Sequence, residues 1–97
     1  MIVASGPMRS YLPRGSVHLA PTASGALVLL DTRTGRMFQL NPTGATAWNA
    51  LIMGGGDVQA AARTVAQRYG QLYLQVLDDL WPLIQRLVEA NLLEATR

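Results

Sequence analysis

Few side chains in this sequence could support acid–base or metal chemistry. His18 is the single histidine, cysteine is absent, and the six carboxylates include one adjacent pair, Asp78 and Asp79. One imidazole and no thiolate cannot form a histidine or cysteine metal site. A catalytic triad would need a nucleophile and a carboxylate folded beside His18, and no motif indicates one. We therefore expect no catalytic residues, no metal and no cofactor.

The pair Asp78 and Asp79 is better explained without catalysis. Adjacent residues of a helix point about 100° apart, so the two carboxyl groups do not share one proton. They fit a helix cap or solvated charges. A weaker hypothesis is that they contact a basic residue of a ligand.

Composition indicates one small globular domain. The chain has 97 residues, of which 49% are apolar and 14% are charged, enough for one modest core. Eight arginines and no lysine against six acids leave a net charge of +2, a weak basis for binding a polyanion. The first residues lack the features of a secretory signal, and no apolar run reaches the length of a membrane span. We expect a cytoplasmic protein.

Three short β-type runs lie in the first half of the chain. Residues 1–16 show neither the helical nor the strand period of apolar residues and contain proline and glycine, which predicts a flexible N-terminal segment. Residues 17–20, 26–31 and 36–40 are separated by turn sequences, which predicts an antiparallel meander of three strands.

Three helices are predicted to follow. The first begins at Asn41-Pro42 and stops at the glycines 54–56, which we interpret as a flexible break. The second covers residues 57–70, with an aspartate cap and a terminal glycine. The third occupies most of residues 72–90. Pro82 lies in its first turn if the aspartate pair caps it, and otherwise kinks it.

This order predicts an α+β fold, a three-stranded antiparallel β-sheet followed by three α-helices, with the elements of a winged helix. Residues 17–94 would form the domain, and residues 95–97 a C-terminal tail.

The third predicted strand lies at an edge of the meander. Its outward amide and carbonyl groups need partners, and its sequence contains one charge, no lysine and no proline. A loop or the N-terminal segment could cover this edge. An added strand from another polypeptide could do so equally well.

The third helix has more apolar surface than a core requires. Its apolar arc spans about 160°, where a core-facing stripe needs about 100°. Leu77, Trp81 and Val88 lie together at one border of the arc, where they could line a groove or simply extend the core. An open edge strand beside an apolar groove is typical of β-augmentation, which predicts an extended peptide as the ligand.

The sequence resembles the PqqD-like family of leader-peptide recognition domains. The resemblance covers residues 17–94 and depends on the run from Leu30-Asp31 to Leu40-Asn41-Pro42, in register with Leu92-Leu93 near the end. Within the family it is most similar to the stand-alone recognition proteins of lasso-peptide biosynthesis. Two residues depart from the family pattern, Asn91 where glycine is usual and Pro82 where a helix former is usual.

The resemblance implies that the domain binds the leader segment of a ribosomally made precursor and does no chemistry itself. It also implies delivery to a separate leader peptidase of the cysteine-protease type, ahead of ring closure by a cyclase. The leader would add beside the third strand and pack on the third helix. The predicted peptide-binding residues are Arg36, Met37, Phe38, Gln39 and Leu40 on the strand, and Leu77, Asp78, Trp81, Ile84, Gln85 and Val88 on the helix.

Two alternatives stay open from the sequence. A winged-helix DNA-binding protein would have similar elements, and Arg63 and Arg68 on the second helix could contact DNA. The arginines are dispersed and aspartates lie among the helices, which disfavours a nucleic-acid partner. The second alternative is a PqqD-type chaperone that holds a precursor for a radical enzyme of quinone-cofactor synthesis.

Overall fold

The structure, a computed structural model, describes residues 10–96 and contains five strands and three helices in that part of the chain. In chain order they are β1 (Ser10–Pro13), β2 (Val17–Pro21), β3 (Leu27–Asp31), β4 (Arg36–Leu40), α1 (Pro42–Met53), α2 (Val58–Tyr69), α3 (Tyr73–Glu89) and β5 (Leu93–Thr96). Strands β2, β3 and β4 form an antiparallel sheet in that order. The predicted α+β fold is confirmed, and β4 is the predicted third strand.

The irregular segments predicted at both ends differ from the structure. Residues 10–13 form β1, and residues 95 and 96 belong to β5, because these two strands pair antiparallel with each other. Ser10 and Thr96 are partners although 86 residues separate them along the chain. Such pairing leaves no local pattern in a sequence. Residues 1–9 and Arg97, also predicted as irregular, lie outside the described residues.

The core lies between one face of the sheet and the helices. Burial alternates along β3, so Leu27, Leu29 and Asp31 face inward. Apolar residues of every helix meet them there, as do two residues that follow α3. The largest contributors are Leu29, Leu40, Trp48, Leu51, Val65, Leu80, Ile84, Leu87, Leu92 and Leu93.

The predicted helix caps are present for α1 and α2. The Asn41 side chain accepts a hydrogen bond of 2.7 Å from the N–H of Gly44, and Pro42 is the first helical residue. Asp57 accepts from the first amides of α2, and Gly70 ends that helix in the left-handed conformation.

Of the two alternatives for Pro82, the cap at the aspartate pair is not observed, because α3 begins at Tyr73 and contains Pro82 in its interior. Proline removes the hydrogen bond that the carbonyl of Asp78 would otherwise accept. Asp78 and Pro82 are both exposed, so water can reach the carbonyl of Asp78. At the other end of α3, Asn91 adopts a φ of 62°, a left-handed conformation that glycine adopts most readily and that asparagine tolerates.

The loop at residues 54–56, predicted as a flexible break, packs against β1. Gly56 is buried, and its carbonyl accepts a hydrogen bond of 2.9 Å from the N–H of Tyr11. A Cβ atom at Gly56 would lie 2.7 Å from the nitrogen of Tyr11, whereas one at Gly55 would meet nothing within 4 Å. Gly56 therefore permits the close approach of β1.

We expect Gly56→Ala to lower the free energy of unfolding by about 3 kcal/mol or more, through backbone strain and loss of the bond to Tyr11. Gly55→Ala is the matched control, because Gly55 also has a positive φ of 73° but open space around it. Its cost should be about 1–2 kcal/mol. Chemical denaturation of both variants measures the difference. Equal losses would show that β1 does not constrain Gly56.

Asp31 is buried at the end of β3 and organises the β3–β4 turn. Its carboxylate accepts hydrogen bonds from the N–H of Arg33 at 3.0 Å and the hydroxyl of Thr34 at 3.2 Å. The bond from the Arg33 amide is the main reason that the pKa of Asp31 is lowered, and burial opposes it.

The lowered pKa predicts an acid-sensitive component of stability. The ionised carboxylate stabilises the fold above the unfolded pKa of about 3.9, and this contribution is lost as pH falls through the lower folded pKa. Asp31→Asn should remove that component when the free energy of unfolding is measured from about pH 6 down to about pH 2. Parallel curves for the two proteins would contradict it.

Candidate functional site

Hydrogen bonds at both ends of the β2–β3 pair decide which way each residue of β3 directs its backbone. The backbone N–H of Thr22 donates to the carbonyl of Ala26, and the backbone N–H of Thr32 donates to the carbonyl of Ser16, each at 2.9 Å. Bonded pairs alternate along an antiparallel ladder. The even-numbered residues of β3 therefore bond to β2, and its odd-numbered residues bond to β4.

The register of β3 with β4 then defines the open edge of the sheet. Leu29 pairs with Phe38 and Leu27 with Leu40, so the even-numbered residues of β4 direct their backbone groups to β3. Met37 and Gln39 direct theirs outward. Within residues 10–96, the N–H and C=O groups of these two residues have no hydrogen-bond partner. An extended peptide could supply one.

The opposite edge of the sheet is less open. Pro21, the last residue of β2, pairs with Leu27, which does not bond to β2. Its ring nitrogen therefore lies on the outer side of β2, where proline removes a donor from the edge. The β4 edge contains no such block.

The side chains of β4 alternate between the two faces of the sheet. Leu40 is buried, and Phe38 is half-buried on the same face, toward the helices. Arg36, Met37 and Gln39 are exposed, Met37 at 71%. The strand thus presents apolar surface on its helix-facing side right at the open edge.

Helix α3 lies beside that helix-facing side. The guanidinium carbon of Arg86 is 5.3 Å from the centre of the Phe38 ring, a cation–π distance. Leu83 precedes Arg86 by nearly one helical turn, on the same side of α3. We call the channel between the β4 edge and this side of α3 the β4–α3 groove, lined by Phe38, Leu83 and Arg86.

A cavity of about 190 Å³ lies between the first turn of α1 and α3, next to the end of β4. Its walls are largely apolar and its rim contains polar groups of both helices. The lining residues are Asn41, Thr43, Gly44, Ala47, Val65, Gln71, Val76, Asp79, Leu80 and Leu83. Because Leu83 lines both features, the cavity continues the β4–α3 groove and could accept an apolar side chain.

The helix residues predicted to bind peptide lie elsewhere around α3. The Trp81 ring packs edge-on against Tyr11 of β1, with 5.9 Å between ring centres. Trp81 and Arg86 lie about 140° apart around the helix. Leu77 and Val88 are half-buried against the core, and Ile84 is buried within it at 2% exposure.

Asp78 and Gln85 are exposed on the outer face of α3. Arg86, which contacts Phe38 of β4, and Leu83 on the same side of α3 were not among the predicted residues. Leu83 lies at the other border of the apolar arc. Its position there was the feature of the sequence that could have identified this side of α3 as a candidate contact surface. The sequence could not decide which border faces β4, because the rotation of α3 depends on how β1 and β5 pack.

No three histidine or acidic side chains of residues 10–96 lie close enough to hold a metal ion. None of the three helices described is long and apolar enough to cross a membrane.

Known proteins share this sequence pattern and this fold. Residues 26–93 match the family described as coenzyme PQQ synthesis protein D (PqqD). The fold is similar to that of TbiB1 in complex with the TbiA(beta) leader peptide, with a TM-score of 0.77 and 25% identity over 86% of this chain and 94% of that one.

A second similar structure is lasso peptide synthetase B1 complexed with the leader peptide. Its TM-score is also 0.77, with 27% identity over 88% of this chain and 98% of that one. No protein with a curated description matches the sequence significantly.

The alternation along β4 predicts opposite effects of proline at neighbouring positions. Phe38→Pro removes a bond to β3 and leaves the buried carbonyl of Leu29 without its donor, at a cost of about 1–3 kcal/mol beyond Phe38→Ala. Gln39→Pro removes only an outward N–H, so it should cost less than about 1 kcal/mol beyond Gln39→Ala. Denaturation of the four variants tests this. A larger loss at Gln39 would mean that the assigned directions are reversed.

Proposed function

The chain belongs to the PqqD family, and on that basis we propose that it binds the leader segment of a ribosomally made precursor peptide, of the lasso type, as an added strand on β4. The observation that carries the proposal is the open edge of β4, where Met37 and Gln39 direct outward backbone groups that have no partner within residues 10–96. The likeness to two leader-peptide complexes supports the same partner.

Backbone pairing alone would not hold a peptide. Met37 and Gln39 offer four hydrogen-bonding groups, each worth about 0.5–1.5 kcal/mol net. Association costs about 4–15 kcal/mol in lost freedom of motion, so four such bonds do not suffice. Side chains of the leader must supply the remaining affinity, and alternate residues of an added strand would face the β4–α3 groove.

We place the helix contacts of the leader on the Leu83 and Arg86 side of α3, because Arg86 already contacts Phe38 of β4. The border formed by Leu77, Trp81 and Val88 stays a separate prediction. Trp81 is 37% exposed and contacts Tyr11. A leader that used this border would have to lie along β1.

The proposed role is capture and delivery, with no reaction at this domain. The sequence lacks thiols and an acid–base pair, which fits a binding role. The resemblance to the recognition proteins of lasso-peptide biosynthesis implies that a separate leader peptidase of the cysteine-protease type would cleave the bound precursor and that a cyclase would act afterwards. The cytoplasm, where precursor peptides leave the ribosome, is the proposed location.

The direct test uses a lasso-type precursor peptide made synthetically as separate leader and core segments, with the TbiA(beta) leader as the first probe. Calorimetry should show binding of the leader and none of the core, and mass spectrometry should show the leader intact after incubation. Gln39→Pro should weaken leader binding about tenfold relative to Gln39→Ala. Unchanged affinity in folded Gln39→Pro protein would exclude strand addition at this edge.

The same leader distinguishes the two borders of α3. We expect Leu83→Ala to weaken binding about tenfold, because it removes apolar surface from the groove and the cavity. Trp81→Ala should change affinity less than about threefold while it destabilises the contact with β1. Unfolding curves control for loss of structure. The opposite ranking would place the leader against the Trp81 border.

A further inference from the structure

Two arginines lie at the same end of the β4–α3 groove. Arg36 begins β4, two residues before Phe38, so both side chains leave the strand on the helix-facing side. The Arg86 guanidinium lies over the Phe38 ring. Phe38 therefore has one arginine over its ring, from the helix, and another two residues away on the same face of the strand.

Neither Arg36 nor Arg86 forms a salt bridge within the described part of the chain. The ion pair found among residues 10–96 joins Arg33 to Asp31, at 3.8 Å, and involves neither Arg36 nor Arg86. Both are exposed, so their charges face the groove and solvent. Asp31 is the cross-strand partner of Arg36, but its buried carboxylate already accepts hydrogen bonds in the β3–β4 turn. On α3, Glu89 follows Arg86 by three residues, and Asp79 lines the cavity about 10 Å along the helix from Arg86.

The cation–π contact with Phe38 leaves Arg86 available to a carboxylate. A guanidinium over an aromatic face keeps the N–H groups at its own planar edge free, in the fork that matches a carboxylate. Because the contact already orders the side chain, less freedom is lost when an anion binds. A cationic ligand residue at this end would instead meet two like charges.

Resting on the proposed function, we propose that the β4–α3 groove selects peptides with an acidic side chain at the Arg36 end of the added strand, on the helix-facing side between Arg36 and Arg86. The cavity beyond Leu40 takes an apolar side chain from the same peptide. Arg36 and Leu40 lie four residues apart on one face of β4, so the acidic and apolar residues of the ligand are also about four residues apart.

The experiment needs no knowledge of the natural partner. Random 12-residue peptides displayed on phage (about 36 Å when extended) are selected on immobilised wild-type protein, Arg36→Gln, Arg86→Gln and Arg68→Gln. Arg68 is the matched control, because it is an exposed arginine at the end of α2. Circular dichroism and unfolding curves establish that each variant is folded.

Wild-type protein and Arg68→Gln should enrich aspartate or glutamate at one position, about four residues from a large apolar residue. Arg86→Gln and Arg36→Gln should reduce that enrichment. For the best selected peptide, acid-to-amide replacement should weaken binding to wild-type protein about fivefold and to Arg86→Gln less than about twofold. Arg86→Lys separates charge from stacking and should retain part of the effect.

Each other outcome has a distinct meaning. In one outcome, the selected peptides compete with one another and lose their binding to Gln39→Pro, yet show no acidic preference. That result would overturn this inference and leave strand addition intact. An acidic preference that survives in Arg36→Gln and Arg86→Gln, or is lost equally in Arg68→Gln, would overturn the assigned contacts. Failure to select any peptide that depends on the β4 edge would overturn the proposed function itself.

Discussion

The backbone of β4 can satisfy only half of its hydrogen bonds within residues 10–96, and the rest of the site depends on that limit. Antiparallel pairing with β3 uses every second residue and directs Met37 and Gln39 outward. The chain does contain a spare strand, β1, but it pairs with β5 and not with β4. The edge that could have been covered by the N-terminal segment is therefore open where the structure describes it.

The elements around this edge are positioned by a few local contacts. Helix α1 begins directly after β4, because Asn41 caps its first turn and Pro42 favours the helical φ. Its N-terminal turn consequently forms one wall of the cavity at the end of the groove. The close approach of Gly56 to Tyr11 holds β1 against the end of α1, and Tyr11 in turn contacts Trp81 of α3. These contacts orient α3 so that Arg86 meets Phe38.

The site divides recognition between two kinds of interaction. The outward groups of β4 can bond to the backbone of any extended peptide, so they carry no sequence information. Selection must come from the groove, where an apolar cavity lies at one end and two arginines lie at the other. Such a separation of a general docking edge from selective side-chain contacts would suit the proposed function, in which the domain recognises one peptide and then releases it to another protein.

Local chemistry in the sequence was sufficient for the elements and their order. Turn glycines, the Asn41-Pro42 and Asp57 caps and the terminal Gly70 act within a few residues, so the sheet, the start of α1 and the bounds of α2 could be predicted. The position of Phe38 and its neighbours on an edge strand followed from the meander.

Tertiary structure decided what depends on distant partners. The pairing of β1 with β5, the buried role of Gly56 and the start of α3 at Tyr73 were not predictable, because their causes lie far along the chain or in packing. The rotation of α3 belongs to the same class. A wide apolar arc has two borders of similar composition, and only contacts with β1 on one side and Phe38 on the other determine which of them faces the open strand.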